Sequence, residues 1–375
     1  MKTKGALLRG HNQPWSIEEI ELDPPRYGEV LVRMETAGLC HIDHHLASGD
    51  ITSNGFPILG GHEGAGVVTG LGPGVTDLAV GDHVALSFIP SCGTCPSCRS
   101  GASDLCDVRP RLLNGVSVSD GTFRAHTGEE DVYPMSLVGA FAPYAVVHHT
   151  SAVKIDPAIP FEVACLVGCA VTTGYGASVH SAQVRPGDDV AIVGVGGVGS
   201  AALQGAIIAG ARRVFVVDPS EWKREQARKF GATHAYADAE SALEHIAEVT
   251  DGRMCKKVIV TVGRCDGRDL ESWMQLTAKA GTCVLASIAS AGAVDTTVDL
   301  ASITLSQKTL LGCLFGGGNP RLDIPEILAL YKLGELPLDE LVTREYRLDQ
   351  INDGYRDMLD GVNIRGVIRF TNDDR

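Results

Sequence analysis

The sequence predicts an α/β fold in which a doubly wound parallel sheet accompanies a β-rich region with a cysteine-rich lobe. Three observations lead to this expectation: short alternating apolar runs up to about residue 154, alternating strand-length and helix-length segments from residue 187 to about 287, and four closely spaced cysteines in residues 92–106. The chain has 375 residues. Single cores tend to divide beyond roughly 250 to 300 residues, so more than one domain is expected.

The β-rich region comes first. Short apolar runs such as Val30, Val32 and Met34 alternate with polar residues and are interrupted by Gly, Pro and Asp turns. Near Gly187 the pattern changes to an apolar strand, a helix-length segment and another strand, repeated to about Ser287. That alternation indicates right-handed βαβ units around a parallel sheet.

The end of the chain carries helical patterns and then a final strand, residues 365–370, that no further strand follows. We expect this tail to return to the first domain. The predicted domains are a β-rich domain at residues 1–170, a parallel-sheet domain at 171–314, and a returning segment at 315–375.

The charge of the chain excludes some partners. A net charge of -14, with no long Lys/Arg run, opposes binding to nucleic acid and to anionic membrane surfaces. The N-terminus lacks the apolar core of a signal peptide, and no run of about 18 apolar residues occurs. We therefore expect a cytoplasmic protein that binds neither nucleic acid nor membrane.

The cysteine-rich lobe predicts a structural metal site. Cys92, Cys95, Cys98 and Cys106 are separated by two, two and seven residues. Four thiolates at about 2.3 Å complete a tetrahedral zinc shell with no open position. The alternative, a disulfide framework, requires an oxidising compartment and fits poorly with eleven cysteines, an odd number. The lobe is therefore predicted to bind a structural zinc.

A glycine pattern predicts a dinucleotide site. After the apolar segment 189–193 comes Gly-x-Gly-x-x-Gly, whose candidate cofactor contacts are Gly194, Gly196, Gly197, Val198 and Gly199. Such glycines permit a tight turn, close approach of a pyrophosphate and packing of the following helix. Asp218 follows the next strand, where a carboxylate would bind the adenosine ribose and repel a 2′-phosphate. NAD is therefore favoured over NADP, the alternative being a glycine-rich turn of an unrelated α/β sheet.

Three further residues are candidates for an open metal site. Cys40, His62 and Cys169 lie in glycine-rich surroundings. A lone Cys is more often a small buried apolar residue, and a lone His is more often structural, so spacing alone leaves the assignment open. Two thiolates and one imidazole would leave zinc a vacant position for an alcohol oxygen.

These segments together carry a resemblance. Gly38-Leu-Cys-His-Ile-Asp43, Gly61-His-Glu-Gly-Ala-Gly66, Gly168-Cys-Ala-Val-Thr-Thr-Gly174, the four-cysteine lobe and the glycine loop resemble the zinc-dependent alcohol dehydrogenases of the medium-chain dehydrogenase/reductase superfamily. The resemblance implies a GroES-like catalytic domain with a zinc lobe and a Rossmann NAD-binding domain. It also implies interconversion of small-molecule alcohols with aldehydes or ketones by hydride transfer, two zinc ions per chain, and a homodimer or homotetramer.

The resemblance assigns residue roles as well. It implies that Cys40, His62 and Cys169 bind the catalytic zinc, that Asp43 orients His62 and that Glu63 lies near the metal. The implied cofactor contacts outside the glycine loop and Asp218 are Thr173, Lys223, His41 and Arg365. The alternative for Lys223 and Arg365 is an ordinary solvated surface charge.

The substrate pocket is implied to include Ile42 and Phe88, and His45 matches the terminal histidine of a proton relay. The family usually has Ser or Thr where this chain has Ile42. An isoleucine can neither donate nor accept a proton, so the usual relay and the choice of substrate are in question.

One branch of the family is more similar still. The segments 220–228, 315–318 and 351–361 resemble the nitrosoaniline-dependent alcohol dehydrogenases of actinobacteria. These are nicotinoproteins, in which NAD(H) stays bound and a second redox acceptor removes the electrons. Two alternatives stay open: a thiol-adduct formaldehyde dehydrogenase, in which Arg109 and Arg111 would hold a carboxylate, and a catalytically silent protein that binds NAD and zinc.

Overall fold

The computed structural model describes residues 1–108 and 114–374. Its contacts divide the chain into two compact units, Met1–Cys169 with Asn319–Arg375, and Ala170–Gly318. Arg109 and Arg111, the candidates for a carboxylate site, lie outside the described residues. The predicted boundaries, a first domain at 1–170 to which 315–375 returns and a second domain at 171–314, stay a prediction.

The regular elements of the described chain are mostly strands before residue 155, whereas strands and helices alternate after residue 189. In chain order, the strands are β1 (Lys2–Leu8), β2 (Ser16–Leu22), β3 (Glu29–Gly38), β4 (Ile58–Leu59), β5 (Gly64–Leu71), β6 (His83–Leu86), β7 (Ala125–Thr127), β8 (Glu130–Pro134), β9 (Tyr144–His148), β10 (Ala152–Lys154), β11 (Asp189–Val193), β12 (Arg213–Val217), β13 (His234–Tyr236), β14 (Cys255–Val260), β15 (Thr277–Leu285), β16 (Thr309–Gly312), β17 (Val342–Tyr346) and β18 (Arg365–Arg369). The helices are α1 (His41–Ser48), α2 (Pro96–Arg99), α3 (Phe161–Ala164), α4 (Ala170–Gly176), α5 (Gly197–Ile208), α6 (Glu221–Lys229), α7 (Ala239–Val249), α8 (Leu270–Leu276), α9 (Leu300–Ser306), α10 (Pro320–Lys332) and α11 (Ile351–Leu359).

The first unit is β-rich. β1, β2, β7, β8 and β4 form a closed barrel, and a second sheet has the order β10-β6-β5-β3-β18-β17, with β9 also paired to β3. β18, near the end of the chain, pairs antiparallel with β3. Met34, Leu86 and Phe141 belong to the buried core of this unit. The C-terminal strands β17 and β18 therefore share one sheet with β3 and β5, the strands next to Cys40 and His62.

The second unit is a parallel sheet with the order β13-β12-β11-β14-β15-β16. Every neighbouring pair in it is parallel. This order is that of a dinucleotide-binding doubly wound sheet, and it reverses between β11 and β14, where such sheets bind ligands at the carboxyl ends of their strands. The predicted fold class, a doubly wound parallel sheet plus a β-rich domain, is confirmed.

Among the described residues, no single helix has the length and apolar composition of a membrane span. One bent pair of shorter segments, Phe161–Gly168 and Ala170–Ser181, meets that test by length and composition only when the two are taken together.

Candidate active site and metal centres

Four metal-binding side chains converge inside the first unit. The ligand atoms of Cys40, His62, Glu63 and Cys169 lie within 4.8 Å of one another, and all four residues are buried. Cys40 immediately precedes α1, His62 and Glu63 immediately precede β5, and Cys169 ends the first part of the unit. The structure thus brings the three predicted ligands together with Glu63, the carboxylate expected beside them.

His62 is oriented by a buried carboxylate. One oxygen of Asp43 accepts a hydrogen bond from the Gly61 N–H at 2.9 Å, and the other lies 3.0 Å from His62 Nδ1. Because an ionised carboxylate can only accept, Nδ1 carries the hydrogen and Nε2 presents its lone pair to the cluster. Both ring nitrogens are buried, and the Asp43 contact to Nδ1 is an ion-pair contact without full hydrogen-bond geometry within residues 1–108 and 114–374.

Glu63 is paired with a buried arginine. The Arg365 guanidinium donates to Glu63 Oε2, and both side chains are almost completely buried. Burial raises the pKa of Glu63 to about 8, although the charge of Arg365 opposes this. A Cβ atom at Gly38 would overlap Oε2 of Glu63, so only glycine leaves room for the pair at that position. The predicted contact of Arg365 with a pyrophosphate stays a prediction.

The donor set fits a zinc ion. Two thiols and one imidazole are the ligand types that zinc prefers, and their spread is compatible with bonds of about 2.0 to 2.3 Å from one centre. A hydrogen bond from Cys169 lowers the pKa of Cys40 well below its usual value, and the same bond raises the pKa of Cys169. A divalent ion binds thiolates, so metal binding at this site would release thiol protons.

The four-cysteine lobe forms a second cluster in the same unit. Cys92, Cys95, Cys98 and Cys106 place their sulfurs within 4.8 Å of one another. The Cys92 and Cys98 sulfurs are 4.0 Å apart, and those of Cys95 and Cys106 are 3.9 Å apart. Four ligands at 2.3 Å on a tetrahedron would be about 3.8 Å apart, whereas a disulfide requires about 2.05 Å. The spacing fits zinc, and all eleven cysteines are free thiols.

Backbone amides support the lobe. The Cys95 and Cys98 N–H groups each donate to the sulfur of the cysteine three residues earlier, at 3.4 Å, and the Asp107 N–H donates to Cys95 at 3.4 Å. Such bonds stabilise thiolates, the form that binds metal. Cys92, Cys95 and Cys98 are partly exposed, whereas Cys106 is buried.

In the second unit, the glycine loop connects β11 to α5. Gly194 has φ +86°, a conformation that favours glycine, and Gly196 caps α5. A Cβ at Gly196 would meet nothing within 4 Å, whereas one at Gly199 would overlap the Gly194 carbonyl. The loop therefore keeps open space before the first turn of α5 and packs tightly behind it. This is the shape that a pyrophosphate at a helix N-terminus requires.

Asp218 lies at the end of β12 beside that loop. Its carboxylate accepts hydrogen bonds from the Val195 N–H and the Ser220 N–H, each at 2.9 Å. Two donors fix the carboxylate at the carboxyl edge of the sheet, where an adenosine ribose is expected.

The structure gives the positions of the other predicted site residues, whose roles stay predictions. Thr173 is buried in α4, and Lys223 lies in the first turn of α6. The His41 ring lies 6.4 Å from that of His45. Ile42 and Phe88 are partly buried against the core of the first unit, and the Phe88 ring meets His62 edge-on at 5.5 Å.

Sequence reasoning missed three neighbours of these sites. Gly38 is one, because the contact it permits joins residues far apart in the chain. Asp50 is another, bonded to His45 at 3.1 Å. The third is Tyr355, a buried phenol whose pKa is raised by burial and by the charge of Asp43. Asp50 alone had a local clue, since it follows His45 closely in the sequence.

Comparison with known proteins decides the family. Residues 26–157 match the alcohol dehydrogenase GroES-like domain, and residues 197–332 match the zinc-binding dehydrogenase model. Alcohol dehydrogenase B of Mycobacterium tuberculosis is 63% identical over 375 residues, covering 100% of both chains. The chain belongs to the zinc-binding alcohol dehydrogenases.

Two further relatives agree with this membership. The NDMA-dependent alcohol dehydrogenase of Amycolatopsis methanolica is 46% identical over 373 residues and covers 100% of both chains. The crystal structure of benzyl alcohol dehydrogenase from Acinetobacter calcoaceticus has a TM-score of 0.92 and 28% identity, covering 99% of this chain and 100% of the other. The predicted oxidoreductase acting on small-molecule alcohols is confirmed, and the zinc and NAD expected from the sequence agree with this family.

Proposed function

We propose that this alcohol dehydrogenase interconverts alcohols with aldehydes or ketones at Cys40, His62 and Cys169, and that it keeps its NAD(H) bound between turnovers. The observation that carries the proposal is the buried convergence of two thiols and an imidazole whose tautomer Asp43 fixes. Zinc at such a site polarises an alcohol oxygen and lowers its pKa, and oxidised nicotinamide accepts a hydride.

The chain's own residues position the reactants. Asp43 holds the His62 ring so that Nε2 faces the ligand cluster. Arg365 donates a hydrogen bond to Glu63 at the buried end of the site. Ile42 and Phe88 give the alcohol an apolar wall, which favours substrates with an apolar group on the carbinol carbon. His45 receives the hydroxyl proton.

Retention of the cofactor is supported by the 46% identical relative, whose name records dependence on an artificial acceptor. The test is to purify the enzyme without added cofactor and record its absorbance spectrum. Benzyl alcohol should then produce bound NADH absorbance without external NAD, and a nitrosoaniline acceptor should restore the starting spectrum with turnover. A cofactor-free preparation that turns over steadily with added NAD would contradict retention.

The same experiment separates the alternatives. A thiol-adduct formaldehyde dehydrogenase would need a thiol and formaldehyde together, and a catalytically silent protein would reduce no cofactor with any alcohol. Arg109 and Arg111, the residues proposed to hold a carboxylate in such an enzyme, lie outside the described residues.

Preference for NAD is supported by Asp218, whose carboxylate is held in place by two backbone amides. A 2′-phosphate would meet this negative charge. Asp218→Gly should therefore relax the preference for NAD by about ten- to a hundredfold in the ratio of binding constants. Equal binding of NAD and NADP by the wild type would contradict the assignment.

Assembly into a homodimer or homotetramer is supported by the edge of the parallel sheet. β16 is an edge strand, and all four of its residues are exposed, including Leu310 and Leu311. An exposed apolar edge strand favours pairing with a second copy. Leu311→Lys should lower the mass measured by light scattering, whereas Leu333→Lys, at an exposed leucine of the first unit, should not. A monomeric wild type would contradict this.

The electron acceptor in the cell is proposed to be a second small molecule or a redox partner, because bound NADH must be reoxidised in place. The location is proposed to be the cytoplasm, since two thiol-based metal sites require reduced cysteines. Cell fractionation with an antibody to this chain tests the location.

A further inference from the structure

A second histidine–carboxylate pair lies at the end of α1. His45 Nδ1 is 3.1 Å from Asp50 Oδ2, and the His45 side chain is 4% exposed. The Ser48 hydroxyl donates to the same carboxylate oxygen at 2.9 Å. The pair thus resembles in chemistry the Asp43–His62 pair, although it belongs to neither of the metal-binding clusters found among the described residues.

The chain geometry fixes Asp50 against the ring. α1 ends at Gly49, whose φ of +86° reverses the chain. The Ile51 N–H then donates to the His45 carbonyl at 3.0 Å. Asp50 is therefore held by the turn and by Ser48, and its orientation does not depend on His45 alone.

This contact determines which nitrogen of His45 can accept a proton. An ionised carboxylate only accepts hydrogen bonds, so the hydrogen of neutral His45 lies on Nδ1. Nε2 then carries the lone pair. The two tautomers of a neutral imidazole are close in free energy, so a carboxylate beside Nδ1 favours the tautomer whose Nε2 can accept a proton.

Helix α1 places His45 next to Ile42, the position at which the family usually has the hydroxyl of Ser or Thr. Ile42 and His45 are three residues apart on α1, and side chains at that spacing are neighbours on a helix surface. Ile42 cannot pass a proton. The other histidines near the His45 ring are His41, with a centroid distance of 6.4 Å, and His44, at 6.3 Å.

We propose that Asp50 is a positioning residue that locks His45 in the Nδ1–H tautomer, so that Nε2 takes the alcohol proton without a relay hydroxyl. This rests on the proposed function. In one turnover the carbinol C–H bond breaks and its hydrogen leaves with the electron pair as hydride to oxidised NAD. The hydroxyl proton passes through water to Nε2, and the imidazolium releases it to solvent, which restores neutral His45.

The tautomer is measured directly by ¹⁵N NMR of protein labelled at its histidine side chains. The His45 resonances are identified by their loss in His45→Gln. We expect Nδ1 of neutral His45 in the wild type to carry the hydrogen and Nε2 to be unprotonated. In Asp50→Ala the fraction of His45 that carries its hydrogen on Nδ1 should fall. A wild type with hydrogen on Nε2 would overturn the proposal.

The kinetic test compares three variants in single-turnover reduction of bound NAD by benzyl alcohol. Asp50→Ala should slow reduction roughly ten- to a hundredfold while the KM for alcohol changes less than about twofold. Asp50→Asn should recover most of the rate, because its amide oxygen still accepts from Nδ1–H. Ser48→Ala should slow reduction less than Asp50→Ala does, because the turn at Gly49 still holds Asp50 beside His45. An unchanged rate in Asp50→Ala, or no recovery in Asp50→Asn, would overturn the positioning role.

The two measurements separate this inference from the proposed function. If the wild type reduces no NAD with any alcohol, the proposed function fails, whereas the NMR result still reports the tautomer. If the wild type is active and Asp50→Ala matches it, only the role of Asp50 fails.

Discussion

The two metal-binding clusters of this enzyme are built in opposite ways. The lobe takes its four thiols from one stretch, Cys92 to Cys106, and three of them are partly exposed. The buried cluster takes its ligands from segments as distant as Cys40 and Cys169, and all of its members are buried. The lobe sulfurs accept backbone N–H groups, whereas the buried cluster is surrounded by the side chains of Asp43, Arg365 and Phe88.

This difference separates two uses of a metal. In the lobe there is little core, so the metal itself is expected to hold the loop in shape. In the buried cluster the surrounding core already holds the ligands in place. The metal is therefore expected to contribute to catalysis and to add little to the free energy of unfolding. Variants of single ligands test this division.

Cys169→Ala should have the largest effect, and the effect should be on turnover. Loss of one thiolate removes the site at which an alcohol oxygen is polarised, worth several kcal/mol, so we expect alcohol oxidation to fall by about a thousandfold or more. Metal analysis should fall from about two zinc per chain to about one. The free energy of unfolding should decrease by only about 1 kcal/mol, the cost of a small cavity. Substantial remaining activity would show that the buried cluster is not the catalytic metal site.

Cys98→Ser should have the converse effect. Its metal content should also fall by about one zinc per chain, but here the free energy of unfolding should decrease by about 3 kcal/mol or more, because the loop loses its metal link. Thermal melting and zinc content are the measurements. Activity per folded molecule should stay close to that of the wild type. An unchanged melting temperature would show that the lobe does not depend on its metal.

The same contrast explains how far the sequence predicts the structure. The lobe follows from spacing alone, and the glycine loop with Asp218 follows from a local pattern at the end of a strand. Cys40, His62 and Cys169 were assignable only through the family resemblance, because β3, β5 and the end of the first segment meet through the sheet and not along the chain. The positions of Gly38, Asp50 and Tyr355 beside those residues depend on tertiary packing. No periodic pattern in the sequence predicts such contacts.

Gly38→Ala tests how tightly the buried cluster is packed. The new Cβ would overlap Glu63 Oε2 and lie 3.2 Å from Arg365 Nη2. Overpacking of this kind costs about 1 to 3 kcal/mol, so we expect about 2 kcal/mol lower stability and reduced activity. In the lobe, Gly93→Ala has nothing within 4 Å of its Cβ but a φ of +73°. It should cost about 1 kcal/mol through backbone strain alone, with activity unchanged. Equal losses of activity would show that the clusters are packed alike.

Tyr355→Phe should have the smallest effect, and the effect should be stabilising. The Tyr355 phenol is 5% exposed, and its hydroxyl has no hydrogen-bond partner among residues 1–108 and 114–374. An unsatisfied buried hydroxyl costs about 1 kcal/mol or more, so removing it should raise the free energy of unfolding by about 1 kcal/mol. The matched control is Tyr346→Phe, since the Tyr346 hydroxyl donates to Asp357 at 2.6 Å. That variant should lose about 1 kcal/mol. If both variants lose stability in urea unfolding, the Tyr355 hydroxyl has a partner in solution, and the core behind the buried cluster is as fully hydrogen-bonded as the lobe.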